Sequence, residues 1–346
     1  MMNKALLLPL AAIWLALTSL AAPAAEVTLR VHHFLGEDTL PHRQVIAPWA
    51  RHVEQLSKGR IKVEISPAMT LGGKAPELIA QAETGVVDII WTAAAYTPGR
   101  FARTEVFTLP LVHGGDPVAT NLAIRALYEG ELSYEFEKLH PLLIHVHQGH
   151  VLHMGHVTVK SAPDLKGRVI RPPGRRVGRW TIEAMGAAVT KKRHPKLPKA
   201  LEQNKLDGAL MSFQLADSMG VIEAVKSHTL LGEGQYFGTS LYLFLMNKAR
   251  YDALPEDLQQ VIDAASGADF ARAVGAVYQK AGAAAMQAAL QRGNSIITPD
   301  AEARAEFEQL LQETITKWAR DLNSRGIDGL QLVMRARRMI ARNTAR

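Results

Sequence analysis

Residues 61–91 read IKVEISPAMTLGGKAPELIAQAETGVVDIIW. IKVEI alternates apolar and polar side chains, the pattern of a strand with one covered face. KAPELIAQAETG holds a short helix that Gly85 ends, and VVDIIW is an apolar run suited to a parallel strand buried on both faces. A strand, a helix and a strand in so short a span make a crossover unit of parallel sheet. Upstream, Val27–Phe34 suits another strand, and PHRQVIAPWARHVEQLSK sets Val45, Trp49, Val53 and Leu56 at helical spacing before Gly59. Downstream, the pattern predicts helices near 117–138, a strand at Leu142–His147 and another around Val151–Val159. A short RVIR strand and a helix over Val177–Met185 come next, then strands in DGALMS and LYLFLMN. Beyond Asn247 the chain reads as almost wholly helical and rich in alanine. The fold class is therefore α/β with a helical C-terminus.

Composition narrows the setting. The 346 residues are 47% hydrophobic and 21% charged, which fits a folded chain large enough for two lobes. MMNK, the uncharged run ALLLPLAAIWLALTSL and the small residues AAPAA follow one another in the order of a secretory signal, so residues 1–25 are expected to be a signal peptide. The run is short of a membrane span. Without Lys4 the balance is 39 basic against 33 acidic residues, +6 in place of +7. Anionic partners are favoured on that charge, and export disfavours nucleic acid among them. The sequence has no cysteine, which excludes disulfides and thiolate chemistry.

Two stretches stand out chemically. KGRVIRPPGRRVGR, residues 166–179, carries Arg168, Arg171, Arg175, Arg176 and Arg179. A guanidinium meets a carboxylate through two parallel hydrogen bonds and keeps its charge. Arg171 closes a strand just before Pro172-Pro173, whose restricted backbone holds the side chain in place. The competing reading is an internal salt bridge. Arg175 lies in the following turn as an assisting contact, while Arg168, Arg176 and Arg179 read as solvated. The second stretch is HVHQGHVLHMGH, with His145, His147, His150, His153 and His156. It could supply metal ligands, but it has neither an acidic partner nor a helical i, i+4 pair. His147 and His150 are the secondary contact candidates, and His153 and His156 read as structural.

With these residues in view, the chain resembles the solute receptors of TRAP (tripartite ATP-independent periplasmic) transporters, the DctP-like family. HFLGEDTLPHR, LGGKAPELIAQAETGVVDIIW, YTPGRFARTEVFTLPL, SAPDLKGRVIRPPG, LDGALMSF and MNKARYDALPEDLQQVI occur in family order over roughly residues 27–265. The resemblance implies a two-lobe periplasmic binding protein with hinge strands, and a solute enclosed between the lobes. Lobe 1 would be 26–148 plus 240–275, lobe 2 149–239, with 276–346 forming C-terminal helices packed on both. It also implies a periplasmic location, delivery to a TRAP permease, no cofactor and no catalysis, with Arg171 on the solute carboxylate. The rival readings are an exported metal-dependent hydrolase using His145–His156, and a sensor that feeds a signalling kinase. No G-x-S-x-G, H-E-x-x-H, P-loop or G-x-G-x-x-G motif supports an enzyme.

Three departures bear on the solute. His150 stands where sialic-acid-type receptors carry a second arginine, so any charge there would depend on pH. LDGALMSF has Leu210 and Met211 in place of a polar Glu-Asn pair, followed by Phe213 and Gln214. With Phe34, Trp91 and Tyr236 near loop or strand ends, an aromatic or otherwise apolar carboxylate is expected over a sugar acid. TKKRHPKLPKAL replaces an apolar hinge strand with a basic run from Lys191 to Lys199. The tail RARRMIARNTAR reads as a helix with a solvated basic face.

Overall fold

The computed structural model describes residues 25–190, 196–232 and 234–344. The expected signal peptide, apart from Ala25, and Lys191–His194 of the basic run lie outside them. Eleven strands make two sheets. They are β1 (Val27–His33), β2 (Ile61–Ser66), β3 (Ile89–Ala93), β4 (Leu139–Val146), β5 (Val151–Met154), β6 (Val169–Arg171), β7 (Ala188–Val189), β8 (Gly208–Met211), β9 (Ser227–Thr229), β10 (Leu241–Asn247) and β11 (Ser295–Ile297). The first sheet runs β2-β1-β3-β10-β4, and the second β11-β9-β5-β8-β6-β7. The quoted stretch supplies β2 and β3, which flank β1 in parallel as its crossover pattern requires.

The central strands β3, β10, β5 and β8 are covered on both faces, which is why they are near-continuous apolar runs, whereas edge strand β2 alternates buried and exposed side chains. The helices are α1 (Ala47–Leu56), α2 (Leu78–Glu83), α3 (Pro117–Leu127), α4 (Val177–Ala184), α5 (Leu197–Glu202), α6 (Phe213–Ser218), α7 (Lys248–Asp252), α8 (Glu256–Ala265), α9 (Ala268–Gln291), α10 (Ala301–Asn323) and α11 (Gly329–Thr344). In β10, Leu241, Leu243 and Leu245 enter a core shared with α2, α3 and α11, whereas Phe244 and Met246 enter one shared with α1 and α8. In the second sheet, Ala209 and Met211 face α5 and α6, and Leu210 faces α4.

Two long helices belong to both halves. Ala271, Val274 and Tyr278 of α9 pack in the first sheet's core, while Ala285 and Ala289 pack in the second's. Phe307 and Leu311 of α10 pack with the second sheet, and Ile315, Trp318 and Leu322 with the first. The C-terminal region is thus less purely helical than its alanine content suggests, because β11 adds a strand beside β9. The second histidine strand is also shorter than expected. It ends at Met154, since the following residues turn away after pairing with β8 and β9. Likewise α3 stops at Leu127 and continues as tighter and wider turns to Glu135.

Besides the long helices, the chain crosses between the sheets at 147–150 and 230–240, and these segments are hydrogen-bonded side by side. His150 N–H donates to Gly238 O at 2.7 Å, and Phe237 N–H to His150 O at 3.0 Å. Gly149 adopts φ +151° in the first crossing, and any Cβ there would strike the Tyr236 ring. Among the described residues no helix is long and apolar enough to cross a membrane.

Candidate functional site

Arg171 stands at the end of β6, where Ile170 and Arg171 pair with Gly208 and Ala209 of β8. The two prolines that follow have no N–H to continue the ladder, so the strand stops and its last side chain turns between the two halves. Arg171 is buried, with 8% of its surface exposed. It has no ion pair or hydrogen bond among the described residues, and the groups that favour its charge are phenols, Tyr96 and Tyr242. Burial pulls the guanidinium below its ordinary value, to about 10, against the smaller opposing effects of those two tyrosines. A buried cation without a carboxylate is costly, because desolvation is uncompensated. The internal salt bridge weighed above is therefore not made with any described residue.

The tyrosines begin an aromatic wall. Tyr242 of β10 lies near-parallel to Trp91 of β3, ring centres 5.0 Å apart, and Trp91 stacks on Phe34 at 5.8 Å. Tyr96 meets Phe34 edge-on at 5.1 Å. On its other side Tyr242 stacks with Tyr278 of α9 at 6.0 Å, and His145 of β4 lies 5.3 Å away. The hydroxyls of Tyr96 and Tyr242 make no hydrogen bond among the described residues. One guanidinium and two unpaired phenols thus sit beside a row of rings, an arrangement fitted to a carboxylate carried on a flat apolar body.

The crossing segments supply two histidines. His150 Nε2 lies 2.9 Å from Ser240 Oγ, and His147 faces Gly149 N–H at Nδ1 (3.0 Å) and Ser240 N–H at Nε2 (3.1 Å). Thr239 Oγ1, 3.2 Å from Nδ1, can accept the one ring proton of neutral His147, and a second proton would meet the Ser240 N–H donor at Nε2. His113 holds the crossing from below, its Nε2 2.7 Å from Gln148 O. Burial, aided by His113 and Arg171, drives His150 down to about 3, so it is a neutral group at every physiological pH. The pH-dependent charge expected at this position is absent for that reason. A cavity of about 50 Å³ beside His150, Arg175 and Ser240 separates the halves; it has room for water but not for a ring.

The sequence-derived candidates scatter. Arg171, His147, His150, Trp91 and Phe34 come together around the wall. Arg175 is exposed and reaches only the small cavity. Phe213 lies apart, in the second sheet's core, 5.2 Å from His153 and 5.0 Å from His228. Ser212 caps α6 by accepting from Leu215 N–H, which fixes Phe213 as the first helical residue and turns it inward. Gln214 is half-buried beside it on α6. Tyr236 packs on the crossing at Gly149 and in the second core. Arg176, expected in solvent, is instead a tie between the halves: it bonds Glu105 at 3.0 Å and Asp321 at 2.9 Å. Arg179 pairs with Glu183 on the exposed side of α4, as a solvated residue does.

Tyr96, Tyr242 and Tyr278 escaped the sequence reading. The signal available was Tyr242, the one hydroxyl-bearing side chain in the LYLFL run of β10. The histidine stretch does not gather: His145 accepts from Trp91 Nε1–H at 3.1 Å, and His153 bonds His228 at 2.6 Å and Met211 O at 3.1 Å. Among the described residues no three metal-ligating side chains converge.

Comparison with known proteins identifies the family and the fold. Residues 31–321 match the family described as bacterial extracellular solute-binding protein, family 7 (DctP). A TRAP solute-binding protein from Rhodoferax ferrireducens, solved with copurified benzoate, is 36% identical with a TM-score of 0.84 over 92% of this chain and 98% of that one. A marine metagenome TRAP solute-binding protein specific for aromatic acid ligands, solved with metahydroxyphenylacetate, is 32% identical with a TM-score of 0.86 over 92% and 99%. A solute-binding protein from Verminephrobacter eiseniae is 28% identical over 263 residues, 73% of this chain and 75% of that one. With the match extending over most of its length, the chain belongs to the family 7 bacterial extracellular solute-binding proteins, and within them to the solute receptors of TRAP transporters.

Proposed function

We propose that this receptor binds an aromatic monocarboxylate, with the carboxylate on Arg171 and the Tyr96 and Tyr242 hydroxyls and the ring along Phe34, Trp91 and Tyr242. The observation that carries this reading is the buried Arg171 guanidinium without an acid among the described residues, facing two unpaired phenols. A carboxylate would supply the missing partner through two charge-assisted hydrogen bonds. Burial holds His147 and His150 neutral at the same place, so Arg171 is the one buried cation there among the described residues, exposed Arg175 reaching only the adjoining small cavity, and this favours a monoanion over a dicarboxylate. The aromatic acids bound by the two solved relatives support the same class.

In this reading the protein works in the periplasm after removal of residues 1–25 and hands its solute to a TRAP permease. Binding shifts an open–closed equilibrium, because the solute touches both halves only when they meet. The Arg176 tie to Glu105 and Asp321 adds to the closed form. Thermal-shift titration with benzoate, mandelate, glucuronate and succinate tests the ligand class. The melting temperature should rise with the aromatic acids in the native chain and stay put in Arg171→Met. A rise with glucuronate or succinate alone would refute the aromatic assignment.

A further inference from the structure

Two polar atoms on the inner side of the aromatic wall have no hydrogen-bond partner among the described residues. Trp91 Nε1–H donates to His145 Nε2 at 3.1 Å. An indole nitrogen only donates, so His145 Nε2 carries the lone pair and the ring proton sits on Nδ1. That Nδ1–H meets no acceptor; the Val146 backbone favours the proton slightly but lacks the geometry of a hydrogen bond. The hydroxyl of Tyr278, in the middle of α9, is equally unmet. Both side chains are wholly buried, at 0% and 1% exposure, and their ring centres lie 5.1 Å apart without a bond between them.

The pair adjoins the solute site. Tyr278 stacks on Tyr242, whose hydroxyl is one of the two phenols that act on Arg171. Buried donors left unmet are rare, and each one calls for a partner. The chemistry of that partner is restricted. It must accept from His145, which excludes an ammonium group. It must be uncharged, since no cation among the described residues acts on His145 and burial already disfavours charge there. It can either donate to Tyr278 or accept from it. A hydroxyl meets all three conditions.

We propose that Tyr278 OH and His145 Nδ1–H together form a subsite for a neutral hydroxyl on the solute, so that the receptor selects ring-hydroxylated aromatic acids over unsubstituted ones. This rests on the aromatic-acid reading above. An ordered water could satisfy the same two atoms, and the experiment separates the two sources.

Calorimetric titration compares benzoate with 3- and 4-hydroxybenzoate and with 3- and 4-methylbenzoate. The methyl group copies the hydroxyl in size and makes no hydrogen bond. In the native chain one hydroxy isomer should bind about tenfold tighter than benzoate, and the methyl acid of the same position should not share the gain. In Tyr278→Phe the ratio of hydroxy-acid to benzoate affinity should shrink to about twofold or less. Equal affinity for the hydroxy and methyl isomers in the native chain overturns the proposal without any variant, and marks the subsite as one for water. A preference that survives Tyr278→Phe overturns it too. If benzoate binds in an Arg171-dependent way and the hydroxyl adds nothing, only the subsite fails; if no aromatic acid binds, both readings fall.

Discussion

Replacing Arg171 by methionine should do two opposite things. Burial holds the guanidinium down to about 10. At about 1.4 kcal/mol per pKa unit, keeping the charge there without solute costs on the order of 3 kcal/mol. Methionine has a similar length and no charge, so it removes that cost and fills most of the same space. Relaxation around the smaller side chain takes back part of the gain, leaving about 1–2 kcal/mol, or about 1.5–3 °C in melting temperature for a chain of this size. The same change strips the solute of its buried charge partner among the described residues. Losing one member of a buried charge pair costs about 2–5 kcal/mol, so affinity should fall by roughly 30-fold to several thousand-fold. Differential scanning calorimetry of the solute-free proteins and titration with benzoate measure the two effects separately. A solute-free Arg171→Met protein that melts below the native one would mean that the guanidinium has a partner within the chain, and the reasoning fails. Unchanged benzoate affinity would remove Arg171 from the site altogether.

Three other outcomes are expected. His113, His145, His147, His150 and His153 are wholly buried and all held below the ordinary imidazole value, His113 to about 4 and His145 and His150 to about 3. The unfolded chain takes up protons below about pH 6.5 that the folded chain refuses, so stability should be level above pH 7 and drop as the pH falls through 6. Each histidine contributes about 1.4 kcal/mol per pH unit, and a melting temperature constant from pH 7.5 to 5 would contradict their neutrality. Tyr242→Phe should weaken benzoate binding about three- to tenfold while the solute-free melting temperature stays the same or rises, because its hydroxyl has no partner among the described residues; unchanged affinity would exclude it from the carboxylate. Arg176→Gln should weaken binding about two- to fivefold and enlarge the solute-bound protein in X-ray scattering. Arg179→Gln, whose pair with Glu183 is exposed, should change neither, and equal effects of the two would dismiss the tie.

What the sequence disclosed depended on whether the cause was local. The alternation in IKVEI and the apolar run VVDIIW give β2 and β3 directly, because strand period and double-sided burial leave a pattern in consecutive residues. Arg171 was legible because strand end, prolines and charge coincide within a few positions. Tyr242 and Tyr278 were not: one looks like an ordinary member of an apolar strand, the other like an ordinary buried ring of a helix. Their meeting requires α9 to pack across β4 and β10. His150 was read as a titrating group because its burial comes from the second crossing segment, far along the chain. Phe213 and Arg176 illustrate the same point in opposite senses. A cap residue turned the ring into the core, and two carboxylates remote in sequence drew the guanidinium out of water.

The two helices threaded through both cores make the protein mechanically unlike a pair of shells on a loose string. Since Tyr278 and Ala285 of α9 are anchored in different cores, separating the halves must flex the rod between them, where Gly282 lies against Gln148 in the first crossing. Such a rod acts as a leaf spring. Any separation of the halves would load it, so its bending stiffness would set part of the cost of opening.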